Sequence, residues 1–161
     1  MGAWPSCNSE VKRRSRGESF CASRWIFLNG AVMPLLRIDL IKGRTDDDLA
    51  TLLDTCHRAM VTAFQVPERD RYQIVHEHPA SRMIMQDTGL GFERTEKVVF
   101  IQVTTRPRSR EMKELYYRLT VEALGRSCGI APTDVMINLI TCTDEDWSFA
   151  HGRAQFLTGE L

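Results

Sequence analysis

An internal repeat constrains the fold of this chain more than any other feature. Residues 99–105 repeat the strand-like alternation of residues 35–41, and Ser109 follows the second segment at the spacing with which Thr45 follows the first. Each half reads strand, helix, strand. Two such units predict an α/β (α+β) fold: a duplicated β-α-β domain with a four-stranded sheet, right-handed crossovers and both helices on one face.

Each predicted helix begins at a capping residue and has one apolar face. Thr45 is followed three residues later by Asp48, which is the capping-box pattern, whereas Ser109 has Met112 at that position. Gly129 is placed to end the second helix. The apolar faces, with their spacing of three and four residues, comprise Leu49, Leu52, Leu53, Cys56, Met60, Ala63 and Phe64 in the first helix and Met112, Leu115, Tyr116, Leu119 and Ala123 in the second.

The repeat is imperfect in its strands. The apolar stripe of the first strand is Leu36, Ile38 and Leu40, and that of its mate is Val99, Ile101 and Val103, at the alternate positions of the repeat. Either the register slips by one residue between the halves, or the later strand is apolar on both faces, which Phe100 favours. The second strand of each half is expected at about 72–78 and 135–141.

The two helices can cover only one face of the predicted sheet. Leu35 and Ile41 point to the other face of the first strand, and Phe100 lies opposite its strand's apolar stripe. A domain of this size has no further element to cover these residues. We therefore expect self-association through the second face.

Residues 1–33 differ in composition from residues 34–161. The first segment is basic, rich in Ser, Gly and Arg, and has no sustained apolar period, so it is expected to be a disordered extension or the product of an upstream start-site assignment. The Met33-Pro34 pair precedes the first strand directly. If translation began at Met33 and the Met were removed, Pro34 would become a free secondary amine, which a peptide-bonded proline is not. A signal peptide is the less favoured interpretation, because no good small-residue cleavage site follows the short apolar patch near Trp25.

The composition excludes several classes of function. Lys and Arg together number 21, as do Asp and Glu, so the chain is not basic enough to indicate a nucleic-acid partner. No apolar run is long enough to span a membrane. The five cysteines form no CxxC pair, which favours a reduced, cytoplasmic protein.

Six segments of the later part of the chain form a specific pattern together. They are Pro-Leu-Leu at 34–36, then 66–79, 87–92, the Arg-Pro-Arg of 106–108, 146–149 and the tail 155–161. On these segments residues 34–161 resemble the tautomerase superfamily and, within it, the malonate semialdehyde decarboxylases. The resemblance does not include residues 1–33.

The resemblance implies a catalytic set and a reaction. The family's N-terminal proline, aspartate and two arginines correspond to Pro34, Asp70, Arg106 and Arg108. It implies a homotrimer that decarboxylates malonate semialdehyde, a small 3-oxo acid, to acetaldehyde and carbon dioxide with no cofactor or metal. An apolar wall around the substrate is implied at Trp147, Phe149, Phe156 and Leu161.

The chemistry of these side chains is consistent with that reaction. Two guanidinium groups spaced by one residue can bind a carboxylate through bidentate hydrogen bonds. A protonated Pro34 amine could donate a hydrogen bond to the carbonyl oxygen on which charge develops, or a neutral amine could form an iminium; the sequence leaves both open. Asp70 could orient the amine or activate a water, and its charge would favour the cationic amine.

Other functions stay open. The same groups could serve a promiscuous hydratase or tautomerase, and a retained extension would leave a non-catalytic trimeric binding protein. Asp70 could be a turn residue like its repeat mate Asp134, the arginines could be surface residues beside a turn proline, and the aromatic residues could serve oligomer packing.

Two histidine features are interpreted as structural. His76 and His78 have the spacing of metal ligands on a strand, but no convincing third ligand accompanies them, so packing or a contact with a neighbour is favoured. His57 on the first helix is expected to be a packed or surface residue. The segment 89–91, Gly-Leu-Gly, reads as a turn.

Overall fold

The computed structural model describes residues 34–161, which form one mixed sheet packed against two helices. Predictions for residues 1–33 lie outside the described residues. The strands are β1 (Leu35–Ile41), β2 (Tyr72–His78), β3 (Val99–Thr105) and β4 (Val135–Thr141), in the spatial order β2-β1-β3-β4. The long helices are α1 (Asp46–Phe64) and α2 (Arg110–Cys128), and a short α3 (Gln155–Thr158) lies in the tail.

The arrangement of the strands follows from the duplication. Within each half the two strands are parallel, β1 with β2 and β3 with β4, and the halves join through antiparallel pairing of β1 with β3. The predicted fold is therefore confirmed, with four strands and the two long helices in contact with one another on the core side.

The helix boundaries agree with the capping residues read from the sequence. Thr45 accepts a hydrogen bond from the Asp48 backbone N–H while the Asp48 side chain accepts one from the Thr45 N–H, which is a complete capping box. Ser109 accepts from the Met112 N–H. At the other end of α2, Gly129 adopts φ 61°, the left-handed conformation that glycine tolerates best.

The core lies between the helices and the two central strands. Leu36 pairs with Val103 across the β1–β3 ladder, and Ile38 pairs with Ile101; all four side chains are fully buried. Burying side chains of this size contributes about 2 kcal/mol each.

The strand pairing shows which of the two register alternatives holds. Val99, Ile101 and Val103 face the core, as do Leu36, Ile38 and Leu40, although these sets occupy alternate positions of the repeat. The register therefore slips by one residue between the halves. Phe100 lies on the opposite face, where Gln102 and Thr104 accompany it, so β3 is not apolar on both faces.

The second face of the sheet carries no helix and is partly apolar. Tyr72, Ile74, Met136 and Ile140 alternate with core-facing residues on the two outer strands and are each between 38 and 42 % exposed. We refer to these four side chains as the open face. They are the residues that the expected self-association would cover.

Two further features are the state of the cysteines and the apolar character of the helices. Cys56, Cys128 and Cys142 are free thiols. None of the helices in residues 34–161 is long and apolar enough to cross a bilayer.

Candidate active site

The sheet brings Pro34, Asp70 and the two arginines to the same end of its strands. Leu35 pairs with Tyr72 on one side and Thr104 on the other. Pro34, one residue earlier, therefore lies beside the start of β2, which Asp70 precedes, and beside the end of β3, which Arg106 follows. Neighbouring strands are about 4.8 Å apart, so these groups share a small region. Pro34 is buried there.

Asp70 is a buried carboxylate with an unsatisfied oxygen. The residue is 6 % exposed, and its Oδ2 has no hydrogen-bond partner within residues 34–161. Burial raises the pKa of its carboxyl group, and the Arg69 charge opposes that shift only partly. A buried acceptor without a partner is unfavourable in a folded protein, so this oxygen needs a donor from elsewhere.

The repeat mate of Asp70 shows what a structural aspartate looks like at this position. Asp134 is fully buried, and its two oxygens accept from the Thr95 N–H at 2.6 Å and the Thr95 hydroxyl at 2.7 Å. Both carboxylates end the loop after a long helix. Only Asp134 has its hydrogen bonds completed within its own half, so the turn-residue interpretation fits Asp134 and not Asp70.

Arg108 is held by neutral groups and has no carboxylate partner within the described residues. Its Nε donates to the Thr105 hydroxyl at 3.1 Å and its Nη1 to the Phe64 carbonyl at 3.3 Å. The guanidinium lies over the Phe64 ring, 4.8 Å from the centroid. Its Nη2 is buried without a partner. Burial, with a smaller contribution from the Arg106 charge, lowers the pKa of Arg108 to about 10.

Arg106 has a different environment. Its Nε forms an ion pair with Asp144, at 2.5 Å from Oδ1, but the N–H is not aligned for a hydrogen bond; its guanidinium lies over the Phe156 ring at 4.4 Å from the centroid. Arg106 is therefore charge-compensated whereas Arg108 is not. A depression of about 520 Å³ adjoins Arg106 and is lined by Arg106, Pro107, Thr143, Asp144, Glu145 and Leu157.

The aromatic residues predicted to wall the substrate form a connected cluster. Trp147 stacks on Phe149 with centroids 5.5 Å apart, and Phe149 meets Phe156 edge to face at 5.2 Å. Phe156 in turn underlies Arg106, so the cluster borders the arginine pair. Leu161 is 54 % exposed, and its place in the wall stays a prediction.

Two residues that sequence reasoning missed hold this tail in place. Buried Gln155 accepts from the Phe149 N–H at 2.9 Å and donates to the Ala150 carbonyl at 2.6 Å. Asp144 begins a 3-10 turn, Asp144–Asp146, in which Thr143 and Asp146 form a capping box. The Thr143 and Asp146 pattern in the sequence could have predicted this turn. It could not have predicted the contact of Asp144 with Arg106, because these residues are far apart in sequence.

The other candidates have local roles. His57 is buried, and its Nε2 lies 2.8 Å from the Glu68 carbonyl oxygen. His78 Nε2 lies 2.6 Å from Asp39 Oδ1, and His76 Nδ1 lies 3.6 Å from that oxygen, on the same side of the sheet as the open face. Within residues 34–161 there is no group of three or more side chains arranged to hold a metal ion.

The fold and the comparisons with known proteins together give the class of protein. A proline directly before β1, an aspartate with an unpartnered oxygen and a half-buried arginine lie at one end of the strands of a duplicated β-α-β sheet. Two family models, each described as tautomerase enzyme, match residues 34–93 and 70–150. The chain belongs to the tautomerase superfamily.

The individual relatives are more specific. The chain is 54 % identical over 129 residues to the probable tautomerase YrdN of Bacillus subtilis (strain 168), covering 80 % of this chain and all of that protein. A malonate semialdehyde decarboxylase structure, whose described activities are decarboxylase and hydratase, is 52 % identical over 79 % of this chain and 98 % of that one, with a TM-score of 0.76. A second malonate semialdehyde decarboxylase, inhibited by 3-bromopropiolate, is 40 % identical over 79 % and 97 % of the two chains, with a TM-score of 0.75.

The unsatisfied carboxylate of Asp70 leads to a test that needs no substrate. In intact chain 1–161, where Pro34 has no amine charge, Asp70→Asn should raise the free energy of unfolding at neutral pH. Because folding raises the pKa of this carboxyl, its charge destabilises the fold above that pKa. The difference from wild type should shrink as the pH falls towards the ordinary value of 3.8. Urea denaturation across pH measures this.

Asp134→Asn is the matched control and should destabilise the protein, because one of its two accepting oxygens becomes a donor. If Asp70→Asn were destabilising to the same extent at every pH, the carboxylate would be satisfied in the fold and would not be awaiting a donor.

Proposed function

We propose that this protein is a cofactor-free carboxy-lyase that decarboxylates a short 3-oxo acid of the malonate semialdehyde type, giving acetaldehyde and carbon dioxide, with the free amine of Pro34. The observation that carries the proposal is Arg108, a half-buried guanidinium whose Nη2 is buried without a partner and which has no carboxylate partner in the described residues. Such a cation favours a substrate carboxylate. Identities of 52 % and 40 % to two malonate semialdehyde decarboxylases support this chemistry.

The arginine pair supplies the binding step. Arg108 offers a partly desolvated charge, and Arg106 retains its Nη groups for hydrogen bonds beside its Nε contact with Asp144. Charge-assisted hydrogen bonds to a carboxylate are about twice as strong as neutral ones. Such contacts can hold the leaving carboxylate out of the plane of the carbonyl group, where its C–C bond overlaps the π system.

Pro34 stabilises the negative charge that develops on the carbonyl oxygen, and Asp70 favours the charged form of the Pro34 amine. When the C–C bond breaks, its electron pair passes to the enolate oxygen, carbon dioxide leaves, and a proton adds to carbon. A cationic Pro34 donates a hydrogen bond to that oxygen, and the orphaned Asp70 oxygen accepts the amine's second N–H and favours the charged form. Iminium formation at a neutral Pro34 is the alternative route.

The aromatic cluster closes one side of this region. Trp147, Phe149 and Phe156 present ring surface beside Arg106. Excluding water there strengthens each electrostatic contact and weakens the solvation of the carboxylate that departs.

The start of the active polypeptide belongs to the same proposal. We propose that Pro34 is its first residue. One family model begins its match at residue 34, and the whole length of a 54 % identical relative is matched by 129 residues of this chain. The sheet, the core described above and the proposed site lie within residues 34–161.

Hydration or tautomerisation of an unsaturated or enolic acid is the second candidate. It is supported by the hydratase activity described for one relative and by the name probable tautomerase of another. The same arginines would bind the acid, and Asp70 or Pro34 would move a proton. Comparing carbon dioxide release with loss of an unsaturated acid separates the two reactions.

We also propose that the protein is a homotrimer. The open face leaves four apolar side chains about two-fifths exposed, and a fold neighbour with a TM-score of 0.64 is described as a symmetric trimer. A partner on this face would bury those side chains and stabilise the assembly.

The amine mechanism requires a free N-terminus at Pro34. A version of the chain that starts Met-Pro34 should decarboxylate malonate semialdehyde after Met removal, whereas intact 1–161 should be nearly inactive because its Pro34 nitrogen is an amide. Acetaldehyde formation and intact mass, measured on the same samples, test this. Equal specific activity from verified intact 1–161 would refute the mechanism. A native preparation whose mass starts at Met1 or Gly2 would favour the non-catalytic binding protein.

The proposed binding of the substrate carboxylate by Arg106 and Arg108, the arginine clamp, leads to a second prediction. Arg106→Ala and Arg108→Ala should each lower turnover by about two orders of magnitude, since removing a desolvated charged contact costs roughly 3 kcal/mol. Arg110→Ala is the matched control, because Arg110 is exposed and forms its ion pair with Glu114 on its own helix. Near-normal turnover in both site variants, with native circular dichroism, would contradict the clamp.

The trimer makes a third prediction. Analytical ultracentrifugation at micromolar concentration should give about three times the mass of one chain, and Ile74→Asp should shift the protein towards the monomer by burying a charge. Ile84→Asp is the matched control, because Ile84 is 79 % exposed and lies in the loop after β2 rather than on a strand of the sheet. A monomeric wild type, or equal dissociation by both variants, would argue against the open face as the interface.

A further inference from the structure

The two arginines of the candidate site are not equivalent. Arg106 has a carboxylate, Asp144, 2.5 Å from its Nε, whereas Arg108 contacts a hydroxyl, a carbonyl and an aromatic ring. The pair with Asp144 therefore carries one net positive charge rather than two. This asymmetry is not visible in the Arg-Pro-Arg motif itself.

We propose that Asp144 is the residue that makes this site selective for substrates with a single carboxylate, because it neutralises Arg106 and leaves Arg108 as the one uncompensated cation of the pair. The inference rests on the proposed function for its substrate class, and it adds a specificity role for a residue outside the catalytic set. Arg106 keeps its hydrogen-bonding Nη groups, but it no longer offers a free charge for a second carboxylate.

Asp144 is fixed in a way that suits this role. It begins a 3-10 turn whose capping box is closed by Thr143 and Asp146, with the Thr143 N–H 2.6 Å from Asp146 Oδ2. The Cys142 N–H donates to the Thr105 carbonyl at 3.0 Å, which ties the residues leading to this turn to the end of β3, directly before Arg106. Phe156 covers the guanidinium face. Both partners of the ion pair are thus held by independent contacts.

The charge balance around the pair gives the direction of selectivity. A three-carbon dianion brings its second carboxylate towards Arg106, where the Asp144 charge repels it. Removing that charge while keeping the shape frees Arg106 to bind it. The affinity for a monoanion that binds at Arg108 should change much less.

The test uses two probes of equal carbon number, 3-hydroxypropanoate and malonate, and isothermal titration calorimetry on the protein in its native, processed form. Wild type should prefer the monoanion. Asp144→Asn should raise malonate affinity about tenfold and change 3-hydroxypropanoate affinity by less than about threefold, as expected for a local charge effect. Arg106→Gln combined with Asp144→Asn should abolish the gain in malonate affinity.

Glu145→Gln is the matched control. Glu145 lies in the same turn and lines the same depression, but it has no ion pair with Arg106, so the substitution makes the same change in net charge without freeing that arginine. If Glu145→Gln raised malonate affinity as much as Asp144→Asn, the gain would come from the general loss of negative charge in the turn and not from the Asp144–Arg106 ion pair. The proposal would then be wrong. An unchanged preference in Asp144→Asn would also overturn it. Absence of decarboxylation with the predicted binding shift intact would count against the proposed function alone.

Discussion

The antiparallel pairing of β1 with β3 is the constraint on which both the fold and the site depend. Each half contributes a parallel strand pair whose helix covers one face, and neither half could bury its apolar stripe alone. Pairing the two inner strands places Leu36 against Val103 and Ile38 against Ile101, with all four side chains fully buried. Because the strands run in opposite directions, the same pairing sets the beginning of β1 beside the end of β3. Pro34 and Arg106 therefore lie at the same end of the sheet because the two halves are joined in this orientation.

The duplication also shows where function departs from stability. Asp134 and Asp70 end equivalent loops, and one has both oxygens satisfied by Thr95 whereas the other has an orphaned Oδ2. Arg108 adds an orphaned Nη2 at the same edge. A buried polar atom without a hydrogen-bond partner costs about 1–3 kcal/mol. A fold that retains both at one edge gains nothing in stability from them, which is the pattern of a site prepared for a charged ligand and a free amine.

Much of the fold could be predicted because its signals are local. Thr45, Ser109 and Gly129 mark helix ends through contacts within a few residues, and the alternation of apolar residues marks the strands. Phe100 favoured a β3 that is apolar on both faces over a one-residue register slip, and this expectation was wrong. Only the pairing of Ile38 with Ile101, a contact between separate elements, decides the question. In the site, family resemblance named the residue types, but Asp144 was missed since its contact with Arg106 joins separate elements. The charge state of the pair is a tertiary property that no spacing in the motif encodes.

That tertiary property also explains how one scaffold can hold two adjacent arginines at low cost. Two uncompensated guanidinium groups two residues apart would repel each other and raise the cost of burying either. Pairing one of them with Asp144 removes most of that repulsion, and the rings of Phe64 and Phe156 give each cation a weakly favourable face. What remains is a single half-buried charge whose Nη2 has no partner within residues 34–161. In the proposed mechanism, the site is completed in two steps, by exposure of the Pro34 nitrogen and by binding of an anion at Arg108.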